Sequence, residues 1–269
     1  MNKGRGSEGV RIAGVGFSCV DVYDQLNRMY PTGNSVDFVI HMRRMGVQAS
    51  MVSVVGTDAY GDMMIDMLKT EKIDVSHLSV RQGSTAVFKM ELNGNDRVHK
   101  EKIEGVMAHF ALNEDDRRFI AEHDALHTNL SGRIERELPY FRERGVSIVF
   151  DFSTRTKKDI AGAILPDVDY AFFSYTEEDA YITEFIAWAQ ALGPRIVIAT
   201  LGERGSLAYD GKTLYRGQIV PAEVVNTVGA GDSFCAGFMY GELQGWSISE
   251  SLNHGARTAA GVVTKFEPY

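Results

Sequence analysis

The residues that most directly suggest chemistry are Gly229-Ala230-Gly231-Asp232. They follow the β-branched run around Val225, Thr227 and Val228. They precede a stretch, Gly231 to Gln244, in which Phe234, Phe238 and Leu243 recur at helical spacing. Glycines in such a turn let backbone N–H groups converge on one point, and a helix start adds unsatisfied donors and the positive end of its dipole. The result is an anion hole suited to a phosphoryl group in transit. Asp232, in the first turn, would face that hole and could accept the proton of an attacking hydroxyl. A tight turn before a helix with a favourable acid would read the same way. No Gly-Lys-Ser/Thr follows, so this is not a Walker A loop.

Three other places could share the work. Thr200-Leu201-Gly202-Glu203-Arg204-Gly205 closes an apolar run. In an open parallel sheet the strand carboxyl ends line the ligand crevice, and glycines there let a backbone approach phosphates closely. An ordinary turn into a hairpin is the plain alternative. Near the start, Asp21 follows Ser18-Cys19-Val20, and Thr32-Gly33-Asn34 precedes a helical stretch holding Asp37. Asp and Asn can bind sugar hydroxyls because they set acceptors and donors at fixed distances. Helix capping by Asn34 is the alternative there.

The elements that must position these residues alternate along the chain. Apolar or β-branched runs at Ile12–Gly16, Ser50–Val55, Ala125–Asn129, Ser147–Phe152, Tyr170–Ser174 and Arg195–Thr200 read as strands. Helical spacing is seen at Val36–Met45, Tyr60–Thr70, Asn113–His123, Arg133–Arg144, Asp159–Leu165 and Thr176–Leu192. This order predicts a parallel sheet covered on both faces. Asp210-Gly211 between two short runs predicts a hairpin at one sheet edge. Ser247-Ile-Ser-Glu250 is a capping-box sequence, opening a last helix that runs to about Phe266. Two segments break the rhythm. Thr85–Leu92 alternates, turns at Asn93-Gly94 and returns through Arg97–Ile103, and Cys19–Tyr30 is extended with no helix beside it. Both are read as strands of a small flap, about 19–30 and 84–104, inserted in one domain spanning 10–269. Extension of the main sheet by these strands is the other arrangement the pattern allows.

Composition narrows the partners. Apolar residues make up 44% and the formal net charge is −8, which argues against nucleic acid as the main partner. No apolar run approaches the ~20 residues of a membrane span. The opening MNKGRGSEG lacks an apolar stretch; it reads as a loose tail, 1–9, and points to a cytoplasmic protein. Cys19 and Cys235 are expected as buried thiols, and the histidines form no zinc-binding pair.

Taken in this order, the pieces resemble the ribokinase-like (PfkB) family of carbohydrate kinases, from Ile12 to about Phe266. The runs that carry the resemblance include Cys19-Val20-Asp21-Val22-Tyr23, Thr32-Gly33-Asn34-Ser35-Val36, Gly56-Thr57-Asp58-Ala59-Tyr60-Gly61, Asn95-Asp96-Arg97-Val98, Glu104-Gly105-Val106-Met107-Ala108 and Asp151-Phe152-Ser153. The Asn-Asp-Arg-Val and Glu-Gly-Val-Met runs point to a subgroup acting on the C6 hydroxyl of sugar–amine adducts such as fructoselysine. The resemblance implies an α/β fold, a three-layer α/β/α core with a small β-sheet lid. It implies that Asp232 is the base, that Gly229, Ala230 and Gly231 form the anion hole, and that Thr200, Gly202 and Gly205 hold ATP. Asn253 would lie near the adenine, and Mg2+ would bridge the phosphates with Glu177 as its ligand, directly or through water. Asp21, Gly33, Asn34 and Asp37 would meet the sugar, and Arg97 or Glu104 the rest of the substrate. Pairing of lids in a homodimer is also implied. The chain departs from the family in four places. Asn226 replaces an Asp bordering a monovalent-cation site, Thr32 a Gly, Asp37 an Asn, and Ser174 the Asn of an Asn-x-x-Glu pattern. A kinase for another ketose, furanose or sugar acid, or a sugar- or nucleotide-binding homologue with weakened catalysis, remains open on the residues alone.

Overall fold

The computed structural model describes residues 9–93 and 96–269, with the backbone alone for 92, 93, 96, 97 and 99. Most of the proposed 1–9 tail lies outside the described residues, as does the Arg97 side chain.

Nine strands form the main sheet: β1 (Arg11–Val15), β4 (Gln48–Gly56), β5 (Leu78–Arg81), β8 (Ala125–Asn129), β9 (Ser147–Asp151), β10 (Tyr170–Ser174), β11 (Ile196–Thr200), β12 (Ser206–Tyr209) and β13 (Leu214–Gly217). Their spatial order is β13-β12-β11-β10-β9-β8-β1-β4-β5. Pairing is parallel from β11 to β5, and the β12–β13 hairpin adds antiparallel at one edge. A second sheet holds β2 (Cys19–Tyr23), β3 (Arg28–Thr32), β6 (Val87–Asn93) and β7 (Asp96–Ile103), ordered β3-β2-β6-β7.

Alternate side chains of each buried strand point to opposite faces. Ile148 and Phe150 of β9 and Ala171 and Phe173 of β10 join one core, beneath α3 (Glu114–Ala121), α4 (Leu138–Glu143), α5 (Lys158–Ile164) and α6 (Ala180–Ala191). Val149, Tyr170 and Phe172 join the other, beneath α1 (Asn34–Arg44), α2 (Ala59–Thr70), α7 (Ala230–Leu243) and α8 (Ile248–Val263). The architecture is three-layered, α/β/α. Each large apolar side chain buried there contributes about 1.5–3 kcal/mol.

Several boundaries differ from the sequence reading. The helix expected over 133–144 is α-helical only from Leu138; Pro139 sits in its first turn, where a missing N–H costs nothing, and short 3-10 turns precede it. The helix expected from Thr176 starts at Ala180, because Asp179 caps it by accepting the Ile182 N–H at 2.8 Å. The last helix stops at Val263 rather than Phe266. Cys19–Tyr30 is not one extended run: Asp24–Leu26 forms a turn that ends on Asn27 in the left-handed region, so the chain doubles back as a hairpin. The Ser247–Glu250 capping box forms as expected. Cys19 and Cys235 are both buried and free.

Candidate active site

The site begins with a close approach. Gly33 has φ 141°, and a β-carbon there would lie 2.5 Å from the Phe17 carbonyl oxygen, so only glycine carries the chain from β3 into α1 at this point. The approach fixes Asn34 as the first residue of α1. Its side chain makes no cap to the helix. Its Nδ2 instead donates to Asp151 Oδ2 at 2.7 Å, at the carboxyl end of β9, and to Asp232 Oδ1, in the first turn of α7. One amide therefore joins three elements whose residues lie 117 and 198 positions apart. The Asn34 Oδ1 is buried and, among the described residues, has no hydrogen-bond partner.

Asp151 also accepts the Ser153 N–H at 2.6 Å. Burial pushes its carboxyl above the usual carboxylate range, against the pull of those two donors. Burial likewise raises the Cys235 thiol, and the charges of Asp151 and Asp232 add to the shift. Two carboxylates and a thiol thus share a small volume at the start of α7.

Gly229 precedes that helix with φ 73°, and a β-carbon on it would lie 2.5 Å from Pro268 Cβ. Beside Gly231, by contrast, nothing fills the space a β-carbon would take. The residues 229–231 therefore offer a closed back and an open front at the start of α7, and the Ala230 N–H donates to the Thr227 carbonyl at 3.3 Å. Asn226, upstream, is buried. It donates to the Phe266 carbonyl at 2.8 Å and accepts the Val228 N–H at 3.1 Å, which pins the loop to the C-terminal segment.

The loop after β11 makes a 3-10 turn at Gly202–Arg204, with Gly202 at φ 58° and no atom near a β-carbon built on it. Gly205 is packed so tightly on the Gly217 carbonyl that a side chain would collide with it. Gly217 in turn abuts Leu252 of α8, so the exposed Asn253 lies one residue from the packing that supports this loop. Thr200 Oγ1 is 3.4 Å from the Phe173 carbonyl and 3.5 Å from Ser174 Oγ. Glu177 is 57% exposed and pairs with Arg204 at 3.7 Å, while its neighbour Glu178 pairs with Arg216 at 2.7 Å. Among the described residues no group of three or more His, Cys, Asp or Glu stands together to hold a metal.

The sugar-side candidates divide. Asp21 and Asp37 are each only 2% exposed. Asp37 Oδ2 accepts the Thr32 hydroxyl at 2.8 Å, so two of the departures from the family pattern are partners of each other. Glu104 lies outside the Asn34 cluster, on the rim of a cavity of about 620 Å3 that reaches Asp151. It pairs with Lys102 and with Arg133, each at 2.8 Å. Sequence reasoning singled out neither Asp151 as a site residue nor Arg133. An acid at the carboxyl end of a parallel strand is the signal that could have found Asp151.

Comparison with known proteins gives the family and the fold. The model of the pfkB family carbohydrate kinases matches residues 27–269. The chain is 37% identical to the fructoselysine 6-kinase of Escherichia coli K12 over 249 residues, covering 93% of this chain and 95% of that protein. It is 30% identical over 256 residues to the fructosamine kinase FrlD of Bacillus subtilis 168, covering 93% and 90%. A putative ribokinase II from E. coli, solved in complex with ATP and Mg2+, superposes with a TM-score of 0.80 at 20% identity over 96% of this chain and 94% of that one. The fold is thus ribokinase-like.

Proposed function

The chain belongs to the pfkB family of carbohydrate kinases, and from that premise we propose that it transfers the γ-phosphoryl group of ATP to the C6 hydroxyl of fructoselysine or a similar sugar–amine adduct. The observation that carries the reading is the junction of Asp232, Asn34 and Asp151 beside the open face of Gly231. Asp232 takes the proton of the acceptor hydroxyl. Asn34 fixes the Asp232 carboxylate in place. The N–H groups of Gly229 and Gly231 and the α7 dipole meet the charge that develops on the transferred group, while Ala230 closes the turn by donating to the Thr227 carbonyl. Such electrostatic preorganisation carries most of the catalysis in phosphoryl transfer.

MgATP, when bound, supplies the phosphoryl group and neutralises charge on its oxygens. The open space at Gly202 and Gly231 fits it. The dispersed acids fit Mg2+ held chiefly by phosphates and water, as that ion prefers, and Glu177 reaches it only by leaving Arg204. Thr200, Gly202 and Gly205 border the nucleotide, with Asn253 toward the adenine. Asp21 and Gly33 line the sugar side, and the second sheet acts as the lid over it. Asn226 already meets the Phe266 carbonyl with an amide donor, so the loop holds its shape without a monovalent cation. We place the enzyme in the cytoplasm and pair its second sheet with that of a second copy; Leu26, Met29 and Val98, exposed on that sheet and its turn, support the pairing.

The test is ADP release by the purified protein with ATP, Mg2+ and fructoselysine. Turnover of fructose with none of fructoselysine would sink the acceptor assignment. One observation favours a second acceptor class, another ketose or a sugar acid: the Thr32–Asp37 pair reshapes the sugar loop. The same assay, run across such sugars, separates the two.

A further inference from the structure

The cavity of about 620 Å3 that ends at Asp151 is larger than a hexose needs and lies in the range of drug-sized ligands. It opens between the carboxyl ends of β8 and β9 and the segment that follows β7. Its walls are of two kinds. Phe17, Met107, Leu130 and Ile160 give it an apolar stretch. Lys102, Glu104, Arg133 and Arg155 give it charges of both signs.

The charged groups differ in their engagement. The Glu104 carboxylate is held below the usual range by Lys102 and Arg133, so it is ionised at neutral pH. Arg133 is itself fixed: it donates to the Ala108 carbonyl at 2.7 Å and to Glu104 Oε2 at 2.8 Å. Arg155 is exposed and, among the described residues, has no acidic partner. Arg133 has φ 56° and Ser153 has φ 52°; these are two of the four non-glycine residues with positive φ among those described, and both line this cavity. Left-handed backbone is unfavourable for such residues, and structures hold it where position matters.

We infer that this cavity is a subsite for the amino-acid end of the acceptor, in which Arg155 takes the α-carboxylate, Glu104 takes the α-ammonium, and the apolar wall carries the aliphatic stem. The inference rests on the sugar–amine reading above. A guanidinium fork matches a carboxylate in two parallel hydrogen bonds, and Arg155 has its donors to spare. Arg133 is a positioning residue: it holds Glu104 at the rim and does not meet the substrate itself. Because Asp232 is not among the residues that line the subsite, it acts on acceptor affinity rather than on proton transfer.

The experiment compares three acceptors in the wild type, Arg155→Gln and Glu104→Gln, each with ATP and Mg2+. They are fructoselysine, its α-N-acetyl derivative, and the adduct of fructose with cadaverine, which lacks the carboxylate. In the wild type, loss of the carboxylate lowers kcat/KM about tenfold or more, through KM and with little change in kcat. In Arg155→Gln the same change of acceptor alters kcat/KM by no more than about twofold. Glu104→Gln is expected to lose discrimination against the acetylated acceptor in the same way. Each comparison is a ratio within one protein, so a smaller folded fraction cancels. If Arg155→Gln still discriminates against the cadaverine adduct as the wild type does, the subsite assignment is overturned while the kinase reading stands. If the wild type turns over none of the three yet phosphorylates another sugar, the sugar–amine reading fails and the subsite fails with it.

Discussion

Replacing Asn34 by alanine removes a side chain that bridges Asp151 and Asp232. Two charge-assisted hydrogen bonds disappear, each worth about 1.5–3 kcal/mol when sheltered. Water can enter the space that the amide leaves and replace part of its donation. The expected total loss is therefore about 2–3 kcal/mol, or roughly 4–12 °C in Tm for a chain of this size. The loss has a characteristic pH dependence. Burial already raises the Asp151 carboxyl in the folded state. A raised folded pKa means the folded state binds the proton more tightly, so this residue's contribution to stability falls as pH rises from the unfolded value, about 3.9, through the folded one. Without Asn34 the folded pKa climbs further and that fall continues to higher pH. The deficit of Asn34→Ala relative to the wild type should thus be smallest below about pH 4 and grow to a plateau above the raised pKa. Thermal or urea unfolding of both proteins from pH 4 to 8 measures it, and kcat should drop in parallel as Asp232 loses its anchor. A deficit that does not change with pH, or none at all, would refute the reasoning.

Asp232→Asn should lower kcat by about 10²–10⁴-fold, while ATP binding measured by calorimetry persists; unchanged turnover would remove Asp232 from the mechanism. Asn226→Asp sets an acceptor against the Phe266 carbonyl, so stability should fall by about 1–3 kcal/mol. Potassium should restore part of it in the variant while the wild type turns over equally in Na+ and K+; a K+ requirement in the wild type would show the tether insufficient. His41 is buried against the Pro268 carbonyl at 3.0 Å, and burial lowers its pKa to about 4. The unfolded chain then binds the proton more readily between about pH 6.5 and 4, so stability should fall with acidification across that window by up to about 1.4 kcal/mol per pH unit. His41→Gln should flatten that slope in acid-unfolding curves, and a slope left unchanged would assign the sensitivity elsewhere.

The elements that were legible in the sequence are those whose signal is local. Ala125–Asn129 and Tyr170–Ser174 match their strands at both ends, each beginning directly after an aspartate, Asp124 and Asp169. The Asp210-Gly211 hairpin and the Ser247 capping box are equally local. Helix starts at Asp179 and Leu138 were misplaced because apolar spacing continues upstream of the residue that ends the helix. Leu78–Arg81, an edge strand of four residues, carries too short a pattern to stand out. At the site the Gly229–Asp232 run was legible as an anion hole with a base, since a turn and a helix start suffice to define it. The partnership of Asn34 with Asp151 and Asp232 was not. Its members lie on three elements brought together only by the sheet order, and the sequence offered helix capping as an equal account of Asn34. The Thr32–Asp37 bond was hidden for a different reason: each residue read as a separate departure, and only their contact shows one compensating the other.

The C-terminal segment after α8 has no pattern in sequence, yet it connects the parts of the site. Phe266 gives its carbonyl to Asn226, and its ring packs on Tyr23 and Tyr30 of the second sheet at 5.1 and 6.0 Å. Arg28 of β3 lies 4.0 Å over that ring and pairs with Glu267 at 2.6 Å. Pro268 closes the back of Gly229 and accepts from His41 of α1, and the Tyr269 hydroxyl donates to the Pro31 carbonyl at 2.8 Å. Four consecutive residues thus touch the anion-hole loop, the helix that carries Asn34 and the hairpin that carries Asp21. Close-packed contacts of this kind transmit displacement rather than absorb it. A shift of the β2–β3 hairpin on acceptor binding would therefore move Phe266, and through Asn226 the loop that precedes Asp232. The same contacts explain why an amide suits position 226: it must both donate to a carbonyl and accept from an N–H, and a carboxylate can do only the second.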